Sequence, residues 1–151
     1  MGYGFDTVPA GLVPAGSELQ DKNSEGKKAM YLVADAGVVD GEIFVKQKVT
    51  VEPNSHYALY ASVSKWTNEF SDITSGAIGI SGIKADGTEE KLASNSLKGE
   101  DISVTRYTML SAQCNVGEYT EVYVYFHCKV AQSAGSYGVG LYVDDAKFFK
   151  A

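Results

Sequence analysis

Apolar and polar residues alternate along most of this chain with a period of two, which is typical of half-buried β-strands. The pattern predicts strands at 28–34, 42–51, 57–66, 76–83, 102–116, 120–130 and 140–149. No window carries an apolar stripe of useful length at helical spacing. The residues before position 28 are rich in Pro, Gly and Ser, which favours irregular chain wrapped around the strands. We therefore predict an all-β, jelly-roll β-sandwich of two antiparallel sheets, formed by one domain over residues 1–151.

The predicted strand at 120–130 has an apolar side and an aromatic side. Alternation turns Val122, Val124, Phe126 and Cys128 towards the core and leaves the intervening residues outside. The same reasoning on the strands at 57–66 and 102–116 also yields outward aromatic and amide groups. If these three strands share a sheet, one outer face carries the following residues: Tyr60, Trp66, Tyr107, Gln113, Tyr123, Tyr125 and His127.

Such a face matches the chemistry of a sugar. The flat side of a pyranose ring presents C–H groups that stack on an aromatic plane, while its hydroxyls pair with amide and imidazole groups. Exposed aromatic patches commonly mark binding sites. Two alternatives stay open, because tyrosine also stabilises sheets without any ligand, and an aromatic face can pack against a neighbouring domain in a structural or adhesion protein.

Charge and hydropathy argue against nucleic acid and a membrane as partners. Thirteen Lys and Arg against nineteen Asp and Glu leave a net charge of −6 without a basic cluster, which disfavours nucleic acid. No apolar run approaches the roughly 20 residues of a membrane span. The chain start lacks a signal segment, which leaves either an intracellular protein or a module excised from a larger secreted parent.

Catalysis has little support in the sequence. His56 and His127 lie on different strands, and neither belongs to a nucleophile motif or a ligand-spaced cluster. The acidic pairs at 89–90 and 100–101 are interpreted as solvated charge in turns. We predict a protein that is not an enzyme, with a small jelly-roll hydrolase or lyase as the weaker alternative. Cys114 and Cys128 occupy core-facing positions and are interpreted as two buried thiols, with a disulfide as the alternative.

The closing strand contains two adjacent carboxylates, Asp144 and Asp145. Neighbouring residues of a regular strand point to opposite faces, so one of the two is expected to face inward. A carboxylate near a core requires a hydrogen bond, an ion pair or a bound cation.

The segment 45–59, VKQKVTVEPNSHYAL, together with Tyr142-Val143-Asp144-Asp145-Ala146, resembles carbohydrate-binding modules of the family 4, 9 and 22 type. The resemblance implies a jelly-roll sandwich that binds a polysaccharide or oligosaccharide without catalysis. It also implies an accessory role beside a glycoside hydrolase or another domain of a parent protein, an extracellular or cell-surface location, and a monomer. The sugar itself is not specified by these residues.

The same resemblance implies a structural Ca²⁺ ion between the two chain ends. Asp6, in the segment Tyr3-Gly4-Phe5-Asp6, and Asp144 match the side-chain ligands of the family. A backbone oxygen near Lys28 matches a third ligand. Oxygen donors of this kind suit Ca²⁺, which takes six to eight of them. Asp145 is then left for hydrogen bonding or solvent.

Overall fold

The computed structural model describes the backbone of residues 4–5, 18–20, 29–34, 39–65, 73–103, 105–132 and 139–151. Side chains are described within 45–65, 73–103, 105–129 and 141–151. The strands are β1 (Gly4–Phe5), β2 (Glu18–Gln20), β3 (Ala29–Ala34), β4 (Val39–Thr50), β5 (His56–Lys65), β6 (Ile73–Ile83), β7 (Glu89–Lys98), β8 (Thr108–Asn115), β9 (Glu121–Gln132) and β10 (Val139–Lys150). Within these ranges no helix is long and apolar enough to cross a membrane.

The strands form two five-stranded sheets, which confirms the predicted all-β sandwich. One sheet, called the β9 sheet, has the order β1-β4-β9-β6-β7. The other, called the β10 sheet, has the order β2-β3-β10-β5-β8. The described strand pairs are antiparallel except for β1 and β4, which run parallel.

The core lies between the two sheets and is built from the inward set of each strand. Val122, Val124 and Phe126 are buried as alternation predicts, and so are the inward residues of β5 and, on β8, Leu110 and Ala112. The largest fully buried side chains come from both sheets and include Leu59, Ile78, Ile80, Val63 and Leu141. Each contributes about 1.5 to 3 kcal/mol by leaving water, so the alternating pattern itself selects the inward faces.

The two cysteines lie in different sheets as free thiols, as the buried-thiol interpretation expects. Cys128 is fully buried, and burial raises the pKa of its thiol to about 12. Cys114 is half-buried, and burial also raises its pKa. Both groups are therefore protonated at neutral pH and are weak nucleophiles.

Three sequence interpretations differ from the structure. Glu89 and Glu90 begin β7 and do not belong to a turn. This edge strand was not predicted because its residues are largely polar on both sides. The segment before residue 28 contains β1 and β2, so it is not wholly irregular. The strand expected from residue 102 begins only at Thr108, after a turn of 3₁₀ helix at Gly99–Asp101.

Candidate functional site

The predicted aromatic face is divided between the two sheets. β5 and β8 pair within the β10 sheet, whereas β9 lies between β4 and β6 in the other sheet. The prediction of one shared face is therefore wrong, and its residues lie on opposite outer sides of the sandwich. Tyr60, Tyr107 and Gln113 belong to the β10 side, and Tyr123, Tyr125 and His127 belong to the β9 side. Trp66 lies outside the described residues.

On the β10 side, the polar and aromatic groups largely bind one another. The Tyr60 ring stacks on Phe149 with centroids 5.6 Å apart and planes 8° apart. The Gln113 amide donates to the Tyr60 hydroxyl over 3.2 Å, and its oxygen lies 3.3 Å from His56 Nε2. Such a stacked pair contributes about 0.5 to 1.5 kcal/mol beyond its buried area. These residues therefore have a structural role in the sheet.

Tyr107 lies beside the closing strand on the same sheet. It is half-buried, and burial raises the pKa of its phenol, with Asp144 and Tyr142 nearby adding to the rise. The phenol therefore keeps its proton at any physiological pH and can act as a hydrogen-bond donor.

Asp144 and Asp145 occupy a β-bulge, not a regular stretch of strand. The pairing of β10 with β5 shifts between Asp144 and Lys147, and Asp145 adopts a positive φ of 51°. Asp144 pairs in register with Ser62, an outward position, and both carboxylates are half-exposed. The expectation that one of them faces the core is therefore wrong, because the extra residue of the bulge interrupts the alternation.

On the β9 side, three neighbouring outward positions of the central strand carry Tyr123, Tyr125 and His127. All three are half-buried. The residues opposite them on β6 are small, namely Ser81, Gly79 and Ala77 respectively. Small neighbours leave room for an aromatic ring to lie over β6, and Gly79 and Ser81 are themselves buried.

The ring of Tyr125 occupies the space over Gly79. A Cβ atom on residue 79 would lie 2.1 Å from the ring and hydroxyl of Tyr125. The Tyr125 ring therefore reaches across β6 and fills the volume that any other side chain would need. Glycine in a strand interior commonly marks such a close approach.

An ion pair crosses the same outer side of the β9 sheet. Lys46 Nζ lies 2.9 Å from Glu89 Oε2, although β9 and β6 separate their strands. Lys46 pairs with Tyr125, and Glu89 pairs with Ile83, four residues beyond Gly79. On a flat sheet the two Cα atoms would be about 19 Å apart, farther than the two side chains can span. The outer face of the β9 sheet is therefore concave along this diagonal.

The ion pair lies over the aromatic floor. Lys46 Nζ is 4.3 Å from the centroid of the Tyr123 ring, and Lys48 Nζ is 5.9 Å from it. Burial raises the pKa of Tyr125, and the negative charge of Glu89 raises it further. We call this concave surface the tyrosine cleft, and its members are Lys46, Lys48, Gly79, Glu89, Tyr123, Tyr125 and His127.

Sequence reasoning identified the aromatic members of the cleft but missed Lys46, Lys48, Gly79 and Glu89. The alternation of β4, with Val45 and Val49 inward, could have placed the two lysines outside. Nothing in the sequence could have assigned Glu89, because its strand lacks an alternating pattern.

The predicted calcium ligands are described only in part. Asp6 and Lys28 lie outside the described residues, and Asp144 is the one predicted ligand within them. Across the side chains that the structure describes, no three His, Cys, Asp or Glu residues come together as a metal site would require. The calcium ion therefore stays a prediction.

Comparison with known proteins supports the fold. No family model matches the chain, and no curated protein matches it. Among solved structures it is similar to a CBM4 structure, with 11% identity, a TM-score of 0.56 and coverage of 90% of this chain and 92% of the other. A CBM22-1 xylan-binding domain from Paenibacillus barcinonensis shares 11% identity, with a TM-score of 0.58 and coverage of 92% and 84%.

A third similar structure includes a catalytic part. It is the Clostridium thermocellum xylanase fragment of CBM22-1 and GH10 modules, with 12% identity and a TM-score of 0.54. The match covers 92% of this chain and 25% of that one. The chain thus has the β-sandwich fold of these carbohydrate-binding module structures, and the predicted resemblance is confirmed at the level of fold.

Proposed function

We propose that this chain is a non-catalytic carbohydrate-binding module that holds a polysaccharide in the tyrosine cleft. The observation that carries the proposal is the position of the Tyr125 ring, which lies across Gly79 beside Tyr123. Two aromatic side chains on neighbouring outward positions provide a platform in a concave surface. The solved structures with the same fold, among them a xylan-binding domain, support this use of a sandwich.

The cleft has both kinds of group that a sugar requires. The rings of Tyr123 and Tyr125 offer planes for the C–H face of a pyranose. His127 and the hydroxyls of the tyrosines offer hydrogen bonds to its rim. The concave shape brings groups of β4 and β7 within reach of one chain, which favours a polysaccharide lying along the cleft.

Binding without turnover agrees with the charges of the cleft. Glycoside hydrolysis commonly uses two carboxyl groups roughly 5 to 9.5 Å apart on either side of the scissile bond. Glu89, the carboxylate over the cleft floor, forms an ion pair with Lys46. In this proposal the module keeps a parent enzyme or surface protein near its substrate outside the cell, by raising the local concentration through the tether.

A polysaccharide panel in affinity gels tests the proposal, with Gly79→Val as the first variant. The new Cβ displaces the far end of the Tyr125 side chain, so the fold is retained while the platform is lost. We expect about tenfold weaker binding, the loss of one aromatic contact. In a Tyr125→Ala background Gly79→Val should add nothing, since both changes remove the same ring.

If no polysaccharide in the gel slows the migration of the protein, the proposal is contradicted. Concentration-dependent self-association without glycan binding would instead support the structural alternative, for which the exposed Met109 and Phe149 of the β10 side are the natural contact. Turnover of a glycan would support the hydrolase or lyase alternative.

A structural calcium ion is a separate part of the proposal. The carboxylate of Asp144 is half-exposed at the β10 bulge and is a donor of the type that Ca²⁺ prefers. With Asp6 and a backbone oxygen near Lys28, it would join the chain start to the closing strand. Bound at 100 times its dissociation constant, the ion would add about 2.7 kcal/mol of stability.

Chelation tests the calcium site. We expect EDTA to lower the melting temperature of the wild-type chain by several degrees and excess Ca²⁺ to restore it. Asp144→Asn should melt at the chelated temperature with or without EDTA. An unchanged melting temperature in EDTA, with no calcium by elemental analysis, would show that the carboxylates are held by hydrogen bonds alone.

A further inference from the structure

Positive charge lies beside the aromatic floor of the tyrosine cleft, although the chain as a whole is acidic. Among the outward positions of the β9 sheet whose side chains the structure describes, five carry lysine and two carry glutamate, and by register Glu42 of β4 is a further acidic residue on this face. The lysines are Lys46, Lys48, Lys91, Lys98 and Lys129, and the glutamates are Glu89 and Glu121. The whole chain has a net charge of −6. Two ammonium groups beside one aromatic ring create a local potential that attracts anions.

Two of these cations flank one ring of the platform. Lys46 Nζ and Lys48 Nζ lie 4.3 and 5.9 Å from the Tyr123 centroid. A pyranose stacked on that ring carries its exocyclic C6 group at the edge of the stack. When C6 is a carboxylate, it lies where an ammonium group can donate a charge-assisted hydrogen bond.

We propose that the ligand of the tyrosine cleft is an anionic polysaccharide whose uronic acid residues pair with Lys48 and Lys46 while stacking on Tyr123. The assignment rests on the proposed carbohydrate-binding function and names its substrate class. Exposed Lys48 is the first contact for the ligand carboxylate. Lys46 is the second, because its present partner, Glu89, is itself a carboxylate and marks the position that a uronate would take.

The local charge of the cleft selects a uronate over a sulfated glycan. Two lysines beside the Tyr123 ring suit a polymer with one charge per sugar. A heavily sulfated chain would place more negative charge against a protein that is acidic overall, so repulsion from the rest of the surface would oppose it.

The test uses the full chain and titration calorimetry with three polymers. These are polygalacturonate, the same polymer after carboxyl reduction, and dextran sulfate. We expect polygalacturonate to bind at least about tenfold more tightly than its reduced form, the value of one charge-assisted contact. The difference should shrink as salt is raised from about 20 to about 300 mM, because added salt shortens the Debye length and screens these partly exposed pairs.

Variants then locate the effect. Lys48→Ala should lose about tenfold on polygalacturonate and clearly less on the reduced polymer, while Lys48→Arg keeps most of the affinity. Glu89→Gln should bind polygalacturonate more tightly, because the variant removes a carboxylate that competes with the ligand for Lys46. The matched control is Lys147→Ala, which removes the same charge from the exposed outer side of the β10 sheet. It should leave the affinity for polygalacturonate unchanged.

The outcomes separate the two proposals. The uronate assignment is overturned if the reduced polymer binds as tightly as polygalacturonate or more tightly, and Lys48→Ala does not change the affinity. Carbohydrate binding itself would then still stand. Preference for dextran sulfate also overturns it. Binding of none of the three polymers, nor of any neutral polysaccharide, contradicts the proposed function itself.

Discussion

Replacing both Tyr123 and Tyr125 with alanine is expected to weaken polysaccharide binding by about 30- to 150-fold. Each ring supplies a stacking contact of about 1 to 1.5 kcal/mol, and two of them on neighbouring sugar units add to about 2 to 3 kcal/mol. The change also removes the ring under Lys46 Nζ, so the cation loses its position over the floor of the cleft. Affinity electrophoresis and calorimetry on the best polymer of the panel measure the loss.

The matched control for this variant is Tyr60→Ala with Phe149→Ala. These residues also form an aromatic pair on an outer face, but on the β10 side of the sandwich. We expect a decrease in melting temperature from the lost stacking and no change in affinity. If the control loses binding while the cleft variant retains it, the polysaccharide binds the β10 side, and the assignment of the tyrosine cleft is wrong.

Gly99→Ala is expected to cause the largest loss of stability. Gly99 is buried at the start of the 3₁₀ turn, and a Cβ atom there would lie 1.7 Å from the carbonyl oxygen of Ile73. That neighbour is backbone in β6, so it has no rotamer by which to move aside. We expect the free energy of unfolding to fall by about 3 kcal/mol, and the melting temperature by about 6 to 12 °C.

The same turn is held by buried polar contacts that a shifted Gly99 would disturb. The Lys65 side chain is 3% exposed, and its Nζ donates to the Gly99 carbonyl over 2.7 Å. Leaving a buried ammonium without this acceptor adds to the cost. Because the turn abuts Ile73 at the start of β6, the effect reaches the strand that carries Gly79.

Gly87→Ala is the comparison for Gly99→Ala in urea and thermal denaturation. Gly87 has a φ of 86°, but its Cβ would meet no atom within 4 Å. Its substitution should therefore cost only the strain of a left-handed backbone, about 1 kcal/mol. If the two variants proved equally stable, the close approach between Gly99 and Ile73 would be refuted.

Much of the fold could be predicted from the sequence. The alternation in β9 and over Leu59–Val63 of β5 is strong because each has one face in the core and one outside, so burial of apolar residues on one side determines the inward set. β7 could not be predicted, since an edge strand buries little and its hydrogen bonds to β6 are independent of residue type.

The Asp144-Asp145 pair shows a second limit. Two adjacent carboxylates in a regular strand cannot both lie on one side, and the expectation of an inward carboxylate followed from that rule. The structure avoids the buried charge with a bulge, at which Asp145 takes a positive φ. Aspartate tolerates this backbone conformation better than most residues do, but alternation alone contains no signal for it.

By itself, the sequence determined that the chain forms a β-sandwich, which residues of most strands face inward, and that tyrosines remain outside on β5 and β9. Only the tertiary structure decided that these tyrosines belong to different sheets, so that the cleft is built from β9 with Lys46, Gly79 and Glu89. The reason is physical: burial fixes a side chain's direction relative to its own strand. Strand order depends instead on backbone hydrogen bonds, which every residue except proline can make.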